Sequence, residues 1–304
     1  MASLRPPEGP SDPVTIGMLW VGPPLSVYEE LSLRSVADAG HPVHLFTYDE
    51  LPVPPSVIRR DASEVIDRRH VFRNTGKTSF SFALFSNVFR YRMLATSELV
   101  WLDADIVVRH ALRAAPYLYA WQDPGRGRLN GALLGAPSGS PLVARLLAES
   151  EGLLEDEEAR EVPWGTYGPR LVTRIVKELG LEHHALPAEE IYPIRIRERW
   201  RLFDPRSFGW CEERMEGARA LHLFNSKLQA SGVKHLAPPR GSYLHHLMLT
   251  HDVPLPRERL SMRWVRRQRD EQERRITLSG RISAVRGRLA RLARLATRGG
   301  PRSS

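Results

Sequence analysis

A mixed α/β architecture, built on a twisted, mainly parallel sheet flanked by helices, is what three features of this chain predict. Val14 to Val21 reads as a strand, Ser26 to Gly40 as a helix and Pro42 to Tyr48 as a second strand. This is a strand–helix–strand unit whose crossover makes the two strands parallel neighbours, with ligands near their carboxyl ends. Glu98 to Val108 is an apolar stretch that reads as a buried strand carrying Asp103 and Asp105 out of its carboxyl end. Ahead of it, Ser79 to Ala95 carries Phe82, Phe85, Phe89 and Met93 at spacings of three and four, an amphipathic helix leading straight into the acidic strand.

Each further element has its own local signal. Gly22-Pro23-Pro24 halts the first strand, Ser26 with Glu29 forms a capping box, and Gly40 stops the helix it opens. Residues 49–78 are turn-rich and carry no assigned element, and Arg109 to Arg128 reads as a connection with a short helix around Ala111 to Ala115. Asn130 to Gly135 reads as a short strand and Pro141 to Leu154 as a helix. The turn-forming, aromatic run Pro163 to Pro169 contains Trp164 and Gly168 and opens a helix from Arg170 to Leu179. Ala220 to Phe224 is a late strand holding His222, and Tyr243 to Leu249 a last short helix of the body.

Composition bounds the class. At 304 residues and 42% hydrophobic content the chain can bury the core of one large domain plus an appendage. No apolar run approaches a membrane span, and the opening residues lack the apolar core of a signal peptide, so a cytoplasmic protein is expected. Its single cysteine, Cys211, excludes an intramolecular disulfide and suits a reducing compartment. The net charge of +9 is unevenly spread: 15 Arg against 4 acidic residues lie from Arg257 onward, which leaves the body near neutral. The expected organisation is a disordered 1–13, a domain over 14–255 and a basic helical tail over 256–304.

In a pleated strand Asp103 and Asp105 point to the same face, so they can share a hard divalent cation, which in turn meets the oxygens of a diphosphate. The alternative is that Asp-Ala-Asp merely ends a strand in a solvated turn. Asn87 and Arg90 share a helix face, and taken alone Arg90 reads as a solvated charge.

The ordered series Leu19-Trp20-Val21-Gly22, Ser86 to Tyr91, Trp101 to Asp105, Asn130-Gly131, Tyr167 to Pro169 and His222 to Asn225 resembles the bacterial glycosyltransferases of the capsular-polysaccharide and α-1,4-glycosyltransferase type. That group is similar to a family of mannosyltransferases, to globotriaosylceramide synthase and, more distantly, to the clostridial glucosylating toxins. The resemblance covers roughly residues 14–250 and implies the GT-A fold. It also implies sugar transfer from a nucleotide-diphosphate donor with Mn²⁺ or Mg²⁺, and retention of anomeric configuration. It places Trp20 on the donor base, Arg90 on the donor sugar, Asp103 on the ribose and the metal, and Asp105 directly on the metal. His222 would complete the metal shell. A core Trp and a satisfied buried His are the competing readings of Trp20 and His222. Lys227 would assist the departing diphosphate, against a reading as a surface lysine. Asn130, Gly131, Trp164 and Gly168 would line the donor-sugar or acceptor pocket, where Asn130 and Trp164 read equally as turn or packing residues. Two departures stand out. Ser86-Asn87 replaces the usual Ser-Asp, so Asn87 can hydrogen-bond a ribose hydroxyl but brings no negative charge. Thr96-Ser97 replaces Gly-Gly.

The expected activity is therefore a metal-dependent glycosyltransferase acting on a surface or capsular polysaccharide or a lipid-linked acceptor. The alternatives are a nucleotidyl- or phosphosugar transferase, and a catalytically dead nucleotide-sugar-binding module. In the tail, Ile276, Ile282, Val285, Leu289, Leu292 and Leu295 recur at near-helical spacing among arginines, a pattern that fits an anionic membrane surface. A solvated helix or disordered extension is its plain alternative. Nucleic acid is disfavoured, because Trp264 is the tail's single aromatic residue.

Overall fold

The structure, a computed structural model, describes residues 13–73, 81–163 and 165–275. The first strand, β1 (Ile16–Trp20), is followed by helix α1 (Val27–Asp38), β2 (Val43–Thr47) and β3 (Val57–Asp61). Helix α2 (Ala83–Thr96) leads into β4 (Val100–Leu102). Then come β5 (Ile106–Val108), β6 (Leu118–Asp123), β7 (Arg128–Gly135), α3 (Pro141–Ser150) and α4 (Leu171–Glu178). The last part holds α5 (Ala188–Ile191), α6 (Phe208–Met215), β8 (Ala220–His222), α7 (Asn225–Ala230) and α8 (Tyr243–Thr250).

Six strands form one sheet in the order β3-β2-β1-β4-β7-β6, parallel from β3 through β4 and antiparallel at β7 and β6. The chain leaves β1 toward β2 on one side and returns through α2 to β4 on the other. The order therefore reverses between β1 and β4, and a crevice opens beyond their carboxyl ends, where open α/β sheets take their ligands.

One face of the sheet is covered by α2, whose Phe85, Phe89, Met93 and Leu94 are fully buried. Phe89 meets Phe46 of β2 edge-on at 5.6 Å and Trp101 of β4 at 6.3 Å, and so ties the two sides of β1 together. On the opposite side α1 buries Leu31, Leu33 and Val36. It also buries two serines: Ser32 Oγ donates to Ile106 O at 2.6 Å, and Ser35 Oγ accepts from Val108 N at 3.0 Å. These side chains satisfy backbone groups of β5 that its antiparallel partner β8 leaves free.

Three expectations are corrected. Glu98 to Val108 is not one strand: it breaks at Asp103-Ala104-Asp105 into β4 and β5, which belong to different sheets. Ile106 N donates to Asp103 O at 3.1 Å and closes the turn. No helix forms around 111–115. There Arg109 N and His110 N both bond Arg219 O, and Leu112 N is held by His41 Nε2 at 2.8 Å. Residues 49–78 and 109–128 contain the edge strands β3 and β6, which the sequence left unassigned. Among the described residues no helix is long and apolar enough to cross a membrane. Residues 262–275 are helical and packed on the body, with Val265 buried and Gln268 bonded to Arg199 at 2.8 Å. Residues 1–12 and 276–304, and the expectations made for them, lie outside the described residues.

Because Phe89 joins β2, β4 and α2, Phe89→Ala is expected to destabilise the protein by about 3–5 kcal/mol. Urea denaturation checks this; a loss below about 1 kcal/mol would show that this ring does not carry the layer.

Candidate metal centre and cleft

The turn after β4 delivers two carboxylates into the crevice. Asp103 N donates to Ala132 O of β7 at 2.8 Å, which anchors the turn to the sheet. Its Oδ1 accepts from Arg90 Nη2 at 2.8 Å and from Trp101 Nε1 at 2.7 Å. Arg90 is buried, and its guanidinium carbon lies 4.8 Å from the Trp101 ring centroid. Gly131 completes this pocket, because a Cβ there would fall on Arg90 Nη1. Local periodicity reads Arg90 as a surface charge, whereas the fold makes it the counter-charge of Asp103.

Asp105 is held from the other end of the chain. Its Oδ1 lies 3.1 Å from His222 Nε2, and its Oδ2 accepts from Asn225 N at 2.9 Å. Between these partners Phe224 adopts a left-handed backbone, with φ of 56°. That conformation is costly for a bulky residue, and here it turns the Asn225 amide toward the carboxylate. Asp103, Asp105 and His222 each offer a ligand atom, all within 4.8 Å of one another. The pleat predicted one shared face; the turn achieves the same proximity by a different route.

Burial acts to raise the Asp105 carboxyl. The His222 charge and hydrogen bond, the Asn225 amide and Lys234 outweigh it and hold the group below the usual carboxylate range. Burial acts to lower His222, and the Asp105 charge and hydrogen bond, with Asp103, carry it above the usual imidazole range. The two groups thus form an internal ion pair. Four enclosed side-chain atoms around it have no hydrogen-bond partner: Arg90 Nε, Tyr192 Oη, His222 Nδ1 and Asn225 Oδ1. Two ionisable oxygens, an imidazole and a ring of unsatisfied polar atoms fit a hydrated divalent cation.

Beside this centre lies a cleft of about 1050 Å³. Trp20, at the carboxyl end of β1, forms part of its wall, with Nε1 donating to Pro23 O at 2.7 Å. Arg73, Lys234 and His235 line it together with Phe82, Ser86 and Asn225, and among the described residues no carboxylate side chain does. Lys234 Nζ lies 4.5 Å from the Trp20 ring centroid and 2.8 Å from Oε1 of the buried Glu29. Glu29 Oε1 also accepts from Asn225 Nδ2 at 2.6 Å. One network therefore joins the cleft wall to the residue that holds Asp105.

The remaining expected residues fall at different distances from this centre. Asn87 lies against Gly168, where a Cβ would approach Asn87 Nδ2 to 3.2 Å. Asn130 Oδ1 accepts from Ala132 N at 3.0 Å, the same residue whose carbonyl anchors Asp103. Lys227 is exposed on α7 and is not among the lining residues, a place that Lys234 takes. Trp164 lies outside the described residues. Sequence reasoning missed Tyr192, Lys234 and the second task of Glu29, which its capping box concealed.

No family model and no curated protein matches the chain. Among solved structures it is similar to one described as PaToxG Glycosyltransferase, with 11% identity, 86% of each chain covered and a TM-score of 0.41.

The ion pair sets a pH window. The part of stability due to His222 is present below the ordinary imidazole value and is lost as pH rises through the raised native one. The part due to Asp105 is present above the ordinary carboxylate value and is lost as pH falls through the depressed one. Without cation, the melting temperature is expected to plateau between these limits, and His222→Asn to remove the upper edge. An identical upper edge in the variant would show that the pair contributes nothing. Cation binding must displace the His222 proton, so calorimetric Mn²⁺ affinity is expected to tighten as pH rises.

Proposed function

We propose that the chain is a metal-dependent glycosyltransferase of the GT-A type, moving a sugar from a nucleoside-diphosphate donor to a saccharide or lipid-linked acceptor. The supporting observation is the placement of Asp103, Asp105 and His222 at the reversal point of the sheet, next to a cleft lined with cations and a half-buried tryptophan. Trp20 offers its indole to the base, and Arg73 and Lys234, the latter held by Glu29, meet an anionic donor from the cleft wall. Arg90, bonded to Asp103, and Asn87, which lies against Gly168, are the proposed approaches to the donor sugar and the ribose.

Asp103, Asp105 and His222 would hold Mn²⁺ or Mg²⁺, and the imidazole in the set favours Mn²⁺. The bound ion supplies Lewis-acid stabilisation of the departing diphosphate. The protein's own part is to keep Asp105 ionised through Asn225, to keep Asp103 oriented through Arg90 and Trp101, and to place the anomeric carbon between leaving group and acceptor. Retention by a front-face path requires no dedicated base, in keeping with a centre whose carboxylates are both engaged. A surface or capsular polysaccharide is the proposed product, made on the cytoplasmic side.

Asp105→Asn is expected to lower release of nucleoside diphosphate from a nucleotide-sugar panel by about 10²-fold or more while the protein remains folded. Unchanged turnover would reject the assignment. Pyrophosphate as product would instead mark a nucleotidyl transferase, and calorimetric donor binding without turnover a binding module. The basic segment 276–304 is proposed to hold the enzyme to anionic lipid, with loss of flotation on anionic liposomes expected when it is removed. Equal flotation without it would reject that role.

A further inference from the structure

Tyr192 follows α5 and has its amide bonded to Ala188 O at 2.7 Å. Its ring is 3% exposed and packs in the cluster formed by Leu102, Ile106, Ala132 and Leu133. That packing asks only for a phenylalanine. The hydroxyl is enclosed and unpaired; Leu133 presents its backbone to Oη without closing a hydrogen bond. An unsatisfied buried hydroxyl is destabilising, so its presence here calls for a role.

Its surroundings supply one. Burial, followed by Asp103 and Asp105, pushes the phenol up, so it remains a neutral donor and acceptor. The enclosure of Oη keeps it from touching a ligand in the cleft. The His222 ring stands 5.8 Å from the Tyr192 ring, centroid to centroid, inclined at 59°. His222 uses Nε2 toward Asp105, while Nδ1 is enclosed without a partner and the Phe224 ring lies 4.0 Å from the imidazole. A histidine that ligates a cation through one nitrogen is oriented by a hydrogen bond at the other. Asp105 is already taken and Phe224 is apolar. Tyr192 Oη is a polar atom on a ring contacting His222 that lacks a partner itself.

We propose that Tyr192 is a positioning residue of the cation site: in the cation-loaded protein Tyr192 Oη and His222 Nδ1 satisfy one another through an enclosed water, which keeps His222 Nε2 turned toward Asp103 and Asp105. The inference rests on the cation reading of that trio and not on the identity of the transferred group. An enclosed water needs two to four polar partners, and these two atoms provide the first two. Without this link the imidazole is free to rotate and present either nitrogen.

The test is Mn²⁺ titration calorimetry on the full chain, with wild type, Tyr192→Phe, His222→Ala and the double variant. Tyr192→Phe is expected to weaken Mn²⁺ about tenfold to a hundredfold while leaving the metal-free melting temperature unchanged or raised. In the His222→Ala background the same change is expected to alter affinity less than twofold. The visible absorption of the Co²⁺-loaded protein should shift in Tyr192→Phe, a signature that loss of packing alone would not give. Wild-type affinity in Tyr192→Phe, or an equal loss in both backgrounds, would overturn the proposal. A wild-type protein that binds no Mn²⁺ would remove the cation reading and this inference with it. Failure to transfer sugar, with Mn²⁺ binding intact, would touch only the proposed function.

Discussion

The structure depends on holding two carboxylates together. With ligand atoms within 4.8 Å, Asp103 and Asp105 repel by about 3.5 kcal/mol at an effective dielectric of about 20. Each is therefore given its own counter-charge, from opposite sides of the turn in sequence: Arg90 from the helix before it, and His222 from the strand that pairs β5. Neither contact is local. Arg90 reaches Asp103 only when α2 packs over β1 and β4, and His222 reaches Asp105 only when β8 closes on β5. The carboxylate pair thus couples both layers of the core to one turn, and the left-handed Phe224 is a strain this coupling sustains.

The same arrangement prepares the centre for a cation. In its absence the His222 proton neutralises Asp105, so the trio is already assembled and mutually held. Binding of a cation would then exchange a proton for a metal ion at nearly fixed geometry instead of drawing distant ligands together. Such preorganisation keeps the ordering cost small and links affinity to proton release.

Much of this was legible in the chain, and the reasons for the rest are physical. The parallel unit β1-α1-β2 followed from capping and apolar periodicity, and the phenylalanine spacing of α2 gave both its buried face and its direction into β4. Asp103 and Asp105 were found as a pair, although the mechanism of their proximity was misread, since a turn rather than a pleat presents them. The edge strands escaped notice for opposite reasons. β3 reads Val-Ile-Arg-Arg-Asp, more charged than a buried strand, and β6 lies between Pro116 and Pro124-Gly125, within a run that reads as a connection. Lys227 was favoured because it is close to His222 in sequence. The short helix α7 turns it to solvent, and Gly232, at φ of 65°, bends the chain so that Lys234 reaches the cleft. Tyr192 and Glu29 carried no signal at all, because what matters in each is a partner, or the lack of one, that only tertiary packing reveals.

Lys234 also limits how the cleft can be used. Glu29 is 1% exposed and takes its positive partner from Lys234, so moving the ammonium away would leave a buried carboxylate compensated only by hydrogen bonds from Ser26 and Asn225. Breaking a buried pair in that manner costs about 3–5 kcal/mol, more than a single aromatic stacking contact returns. Lys234 therefore stays on its face of the half-buried Trp20 ring, 4.5 Å from the centroid. Its ammonium is then fixed between the Trp20 wall of the cleft and the residues that grip Asp105. A charge held in that position by its own salt bridge would meet an anionic ligand without reorganisation, which is the property the proposed function asks of this wall.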